Sequence, residues 1–320
     1  MVAEAVEQNM ISILFSPKPF VGNDAVNQRN ALASWRRIAG DVELICYGDG
    51  EGVAEACAEF GARQVKDIPL SETAAPMFDW IVQHAEREAK YDLQMFINAD
   101  IFLLPEFTDA IAHIPFDEFL AVSDRLNVPE GFLSLLPLED AGARILKVIG
   151  DGEAGMNGGQ GSDFFIFRRG FWKGLPPIAA GRALYDNVLM AYCIRRRAAL
   201  IDATPGILVL HPKHNYKHVS GGRAAVYGGG DVAKNRQMLG FAEPPILCDA
   251  SHVLYPEGVR VNMIFHGWPH RFLIRTQLLH PGNYLMRFLA RVTHFVLTRM
   301  GIGRPRIWEA SKIVRAWANL

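Results

Sequence analysis

An α/β fold on a mainly parallel sheet flanked by helices is predicted by two features of this 320-residue chain. Short apolar runs alternate with amphipathic helical patterns through the first half, and the spacing between runs leaves room for a crossover helix each time. The strongest runs are continuously apolar, as strands covered on both faces require.

The elements follow in order. ISILFS (11–16) is the first strand. A helix over 24–39 follows, its apolar side marked by Val26, Leu32, Trp35 and Ile38, with Asn23 or Asp24 to cap it. VELICYG (42–48), a helix over 51–60, a short strand at 63–66, a helix over 75–89 and the run LQMFINADIFLL (93–104) complete a βαβαβ order, which implies right-handed crossovers. A helix near 106–112, a strand at 118–123 and a helix over 138–147 come next. The segment DGEAGMNGGQG (151–161) has five glycines in eleven residues and reads as a mobile loop, either a plain connector or a lid. Strand SDFFIF (162–167), a helix over 182–197 and the run IDATPGILVLHP (201–212) finish the core pattern. From about 241 the Pro-rich EPPILCD opens a region of different character, which divides the chain into 1–240 and a basic, helical extension at 241–320.

Composition limits the function classes. A net charge of -1 argues against a protein that coats nucleic acid. The charge is uneven, however: residues 281–320 hold seven Lys/Arg and one acid. Such a tail suits an anionic surface or an acidic partner. Within it, NYLMRFLARVTHFVLTRM (283–300) sets Arg287, Arg291, His294 and Thr298 on one stripe of a helix that is otherwise strongly apolar. That apolar side either lies at a membrane headgroup boundary or packs on the rest of the protein or a second subunit. Four cysteines without a C-x-x-C pair point away from disulfides and cysteine zinc sites, and toward a reducing cytoplasm. The N-terminus lacks signal-peptide character, and no apolar run approaches the ~20 residues of a membrane span.

Open α/β sheets bind ligands at the carboxyl ends of their strands, so the residues found there matter most. FINAD places Asn98 and Asp100 just beyond a strand, where a carboxylate with a neighbouring amide can hold Mg²⁺ or Mn²⁺ and leave positions open for a diphosphate. Taken alone, Asp100 is equally a turn cap. LHPKHNYKH (210–218) sets His211, His214 and His218 directly after another strand. One of them can complete a site begun by Asp100; three together can bind zinc; or they are ordinary hydrogen-bonding histidines. Asp163 opens the strand at 162–167, and Asp186 lies near a helix start, where the backbone dipole favours an ionised general base or a simple cap. GDGEG (48–52) and GGG (228–230) match neither dinucleotide-binding nor P-loop spacing, and no G-x-S-x-G elbow is present.

In order, QRNALASW (28–35), FINADIFL (96–103), GSDFFIFRR (161–169), GRALYDNVL (181–189) and HPKHNYKH (211–218) resemble a bacterial and plant branch of the GT-A type glycosyltransferases, over roughly residues 10–240. The resemblance implies transfer of a sugar from a nucleotide-diphosphate donor to a glycan or lipid-linked acceptor, with Mn²⁺ or Mg²⁺ as cofactor. Asn98 and Asp100 stand where the family keeps its DxD pair, with Asp100 on the metal and His211 or His214 as the carboxyl-side ligand. Ser16 at the end of the first strand, with Tyr47 and Asp49 after the second, would face the nucleotide. Asp163 would touch donor sugar or acceptor, and Asp186 would be the base of an inverting enzyme. Asn98 departs from the usual first Asp, and Tyr185 stands where a Glu commonly precedes the base. A catalytically silent scaffold and a sugar-1-phosphate nucleotidyltransferase are the competing functions. The latter usually opens on a Gly-rich basic loop, which SPKPFVGND lacks.

Overall fold

The computed structural model describes residues 10–38, 40–105, 107–135, 140–159, 161–213, 227–240, 243–263, 268–300 and 308–318. His214 and His218 lie outside the described residues.

The βαβαβ start is present as β1 (Met10–Phe15), α1 (Gly22–Trp35), β2 (Asp41–Tyr47), α2 (Val53–Phe60), β3 (Arg63–Val65), α3 (Phe78–Glu88) and β4 (Leu93–Ile97). There follow β5 (Phe102–Leu103), α4 (Phe107–Ile111), β6 (Phe119–Val122), β7 (Arg125–Val128), α5 (Ala141–Gly150), β8 (Gly155–Met156), β9 (Phe164–Arg168), α6 (Tyr185–Arg195), β10 (Ala199–Asp202), β11 (Val209–Pro212) and α7 (Gly230–Leu239). The C-terminal part adds β12 (His252–Tyr255), β13 (Gly258–Val261), α8 (Trp268–Leu279), α9 (Tyr284–Arg299) and α10 (Ala310–Trp317).

Nine strands form the main sheet in the order β13-β12-β10-β6-β9-β4-β1-β2-β3. All are parallel except β9, wedged antiparallel between β4 and β6, and β13, which closes the edge as a hairpin with β12. The order reverses between β1 and β4: from β1 the chain moves outward to β2 and β3, then returns to place β4 on the other side. A crevice opens at such a switch point. A smaller sheet, β5-β11-β7-β8, stands beyond this edge.

The period of two in each strand divides the core. Ile11, Ile13 and Phe15 of β1 and Phe164 and Ile166 of β9 face one helical layer, with Leu32 and Trp35 of α1. Leu14, Phe165 and Phe167 face the other, where the Phe78 ring meets Phe96, Trp172 and Tyr185 edge-on at 5.1, 5.2 and 5.6 Å. This two-sided burial explains why β9 is apolar from Phe164 to Phe167. All four cysteines are free and buried.

Several expectations change. Helix α1 begins at Gly22 with Val21 at the cap position and no side-chain cap, and Val26 is exposed rather than in the core. The runs 93–104 and 201–212 each split into two strands of different sheets, because a turn carries the chain from the large sheet to the small one. The glycine-rich segment is not a free loop: Gly155 and Met156 pair with Asn127 and Leu126, and the Gly158 and Gly159 amides donate to Asp124 Oδ2 at 2.9 and 3.0 Å. Residues beyond 240 also join the packing of the sheets. Strands β12 and β13 complete the main sheet, α10 buries Ile313 and Val314 in the cluster beneath the small sheet, and the Trp308 indole donates to the buried Asp202 carboxylate at 2.7 Å.

Candidate active site at the carboxyl edge of the sheet

Of the residues singled out from the sequence, Asp100 and His211 face each other, and Asn98 and Asp163 are bonded, near where β1 and β4 part. Beyond β1, the Ser16 hydroxyl donates to the Tyr47 carbonyl at 2.7 Å and ties the exits of β1 and β2 together. The buried Gln28 carboxamide of α1 then pins the next turn, accepting from the Lys18 amide at 2.8 Å and donating to the Lys18 carbonyl at 3.1 Å. A backbone held on both sides aims the Lys18 ammonium, which lies 3.3 Å from Asp100 Oδ2 and 3.4 Å from Asp24 Oδ1.

Asp100 is buried at the end of β4, and on its other side His211 Nε2 lies 4.0 Å from the same Oδ2. Hydrogen-bond bookkeeping fixes the imidazole. Arg125 Nε donates to Asn127 Oδ1 at 3.1 Å, and since a guanidinium has no acceptor, the Asn127 atom there must be oxygen. His211 Nδ1 lies 3.1 Å from that oxygen and so carries the proton. In the neutral ring the Nε2 lone pair then faces Asp100. A carboxylate oxygen beside an imidazole lone pair, with the ring oriented by a polar neighbour, is a donor set suited to Mn²⁺ and acceptable to Mg²⁺. Two protein ligands leave room for diphosphate and water oxygens. Among the described residues no cluster of three His, Cys, Asp or Glu side chains forms.

The Asn98 side chain is tied to Asp163. Its amide donates to the Asp163 carbonyl at 2.9 Å and its Nδ2 to Asp163 Oδ1 at 2.8 Å, while Arg125 donates to Asp163 Oδ2 at 2.5 Å. Accepting on both carboxylate oxygens, Asp163 clamps the end of β4 to the start of β9. The Asn98 side chain and Asp163 thus hold each other in place.

Asp186 lies in the first turn of α6, after Leu184, which adopts the left-handed conformation at φ 69° to bring the helix start against the β9 entry. Its Oδ2 accepts from the Ser162 amide at 3.1 Å. Burial pushes its pKa up to about 6, the Asp163 charge adds to the rise, and the Asn187 and Ser162 amides oppose it. The Ser162 hydroxyl beside it is buried without a partner among the described residues.

Two further expectations change. The Tyr47 ring is fully buried, edge-on to Trp80 and with its hydroxyl 3.2 Å from His84 Nδ1, so it belongs to the core and does not face a nucleotide. Asp49 is exposed on the loop after β2, at the same edge as the other residues. Lys18, Arg125 and Asn127 are the site residues that sequence reasoning missed. Lys18 had a signal, being the first cation after a strand end; Arg125 and Asn127 sit on a short strand whose pattern is too brief to stand out.

No family model matches the chain, and no curated protein matches it. Among solved structures it is similar to a mannosyltransferase from Pyrobaculum calidifontis in complex with GDP-Man and Mn²⁺, at 11% identity over 97% of this chain and 86% of that one, with a TM-score of 0.42. It is also similar to glucosyl-3-phosphoglycerate synthase from Mycobacterium tuberculosis in complex with Mn²⁺, UDP and phosphoglyceric acid, at 15% identity over 66% and 74% of the two chains and a TM-score of 0.41. A mycobacterial protein of unstated activity matches at 15% identity over 73% of each chain, with a TM-score of 0.39. Likenesses this distant leave the chemistry to be argued from the chain's own residues.

Proposed function

We propose that the chain is a GT-A type glycosyltransferase that binds a nucleotide-diphosphate sugar at the switch point between β1 and β4. The observation that carries this reading is the meeting of Lys18, Asp100 and His211 at the sheet's carboxyl edge, with Asp186 in the first turn of α6 near the neighbouring β9 entry. The set pairs cationic and metal-ligating groups for a diphosphate with a separate buried carboxylate for a proton.

Asp100 and His211 would hold Mn²⁺ or Mg²⁺, which when bound stabilises the negative charge on the departing diphosphate. Lys18, 3.3 Å from Asp100, would supply a further positive charge for the phosphate oxygens. Arg125 and Asn98 keep Asp163 fixed, so that β9 presents the Ser162–Asp186 corner to the acceptor. Asp186 accepts the acceptor hydroxyl's proton while that oxygen bonds to the anomeric carbon and the bond from that carbon to the diphosphate breaks. A pKa of about 6 leaves the base ionised at neutral pH yet basic enough to help.

Calorimetric titration with UDP and GDP, with and without Mn²⁺, followed by a screen of nucleotide sugars for transfer or hydrolysis, tests this. Metal-dependent nucleotide binding that Asp100→Ala abolishes is the expected result. A chain that binds neither nucleotide under any metal condition is instead the silent scaffold.

A further inference from the structure

Helix α9 leaves most of its apolar surface in solvent. Tyr284, Leu285, Phe288, Phe295 and Met300 are each between 59% and 79% exposed. At 3.6 residues per turn they share, with Leu289, Val292 and Val296, one arc of roughly 160°. The opposite side, at Ala290, is buried where the helix packs on α8. A monomeric protein rarely leaves so many large apolar side chains contiguous and uncovered.

The charge around this arc says what covers it. From Gly258 to Trp308 the sequence has eight arginines and no acidic residue. Arg287 flanks the arc, over the Tyr284 ring at 5.2 Å, and Arg299 lies within it at the helix's last turn, over the Phe295 ring at 5.1 Å. Two copies meeting face to face would bring these cations together without a single carboxylate between them. An anionic bilayer supplies both things the face lacks: an apolar phase for the side chains and negative headgroups for the guanidinium groups. Sixteen residues make a helix of roughly 24 Å, shorter than the ~30 Å hydrocarbon core, and among the described residues no helix is long and apolar enough to cross a membrane.

We propose that α9 is an interfacial helix that lies in the plane of an anionic lipid bilayer, its Phe288–Phe295 face inserted among the acyl chains and its arginines at the headgroups. The inference is independent of the chemistry at the sheet edge. Vesicle flotation of the full chain tests it, using pure phosphatidylcholine and phosphatidylcholine–phosphatidylglycerol mixtures. The parent chain floats with the anionic vesicles. A Phe288→Glu/Phe295→Glu variant, with its melting temperature checked against the parent, loses at least about tenfold in partitioning. An Arg287→Gln/Arg291→Gln/Arg299→Gln variant loses the preference for anionic over neutral vesicles, by about fivefold for each arginine removed. The proposal is overturned if the parent stays at the bottom of the gradient with both vesicle types, or if both variants float as well as the parent. It is equally overturned if sedimentation shows a dimer that Phe288→Glu/Phe295→Glu returns to monomer, which would give the face to a second copy.

Discussion

Asp100 sits between an ammonium at 3.3 Å and an imidazole nitrogen at 4.0 Å, and how that carboxylate is shared decides what the site can bind. The orientation of His211 depends on Asn127, which in turn is fixed by Arg125. Asn127→Leu should therefore lower Mn²⁺ affinity by about 10–100-fold while leaving the melting temperature nearly unchanged, measured by calorimetric titration with the metal alone. Asp186 gives a second prediction. A base with a pKa of about 6 is lost to protonation as the pH falls, so the kcat/KM of transfer should drop about tenfold per pH unit below about 6 and level off above it. Asp186→Asn should lower kcat by about 10²–10⁴-fold and remove that acid limb. A pH profile unchanged in the variant would assign the limb to another group.

The strands and helices were foreseeable wherever a long periodic pattern marked them. The apolar runs of β1, β2 and β4 and the helical patterns of α1 and α3 are local signals, each written within a few turns of chain. Phe78 shows what the helical pattern serves: as the first residue of α3 it is fully buried among Phe96, Phe165, Trp172 and Tyr185. Phe78→Ala should cost about 3–5 kcal/mol in unfolding free energy by denaturant titration, since four aromatic neighbours cannot all collapse into the space. The glycine-rich 151–161 segment was misjudged because composition describes what a backbone can do and not what holds it. Asp124, far away in sequence, takes the Gly158 and Gly159 amides and pins the segment to the end of β6.

Taken together, the carboxylates at the sheet's carboxyl edge bias the protein's stability with pH. Burial raises Asp124, Asp186 and Asp202 from the ordinary carboxylate value to about 6. The folded state therefore holds these protons more tightly than the unfolded chain does. The resulting stabilisation is complete below the unfolded value near 4 and is lost as the pH rises through about 6. Melting temperature should thus increase when the pH is lowered from 7 to 5, by scanning calorimetry. Asp202→Asn should flatten that slope, because Asp202 and Asp124 titrate as neighbours. Asp202 also receives the Trp308 indole, which ties that residue to the end of β10.

Composition and periodicity were enough for the α/β class, the order along the chain of the first four strands, and the placing of Asn98 and Asp100 just past β4, because each is set within a short stretch by alternation and strand termination, whereas His211, expected after a strand, lies within β11. Composition and periodicity could not give the antiparallel wedge of β9, the Arg125–Asp163–Asn98 clamp, or the burial of Tyr47. These depend on contacts between residues tens of positions apart, and pairing at that range is chosen by how the whole sheet packs. The same holds for α9. Its sequence allowed either packing against the protein or lying on a membrane, and the fold left the apolar side facing outward because α8 takes only the Ala290 side.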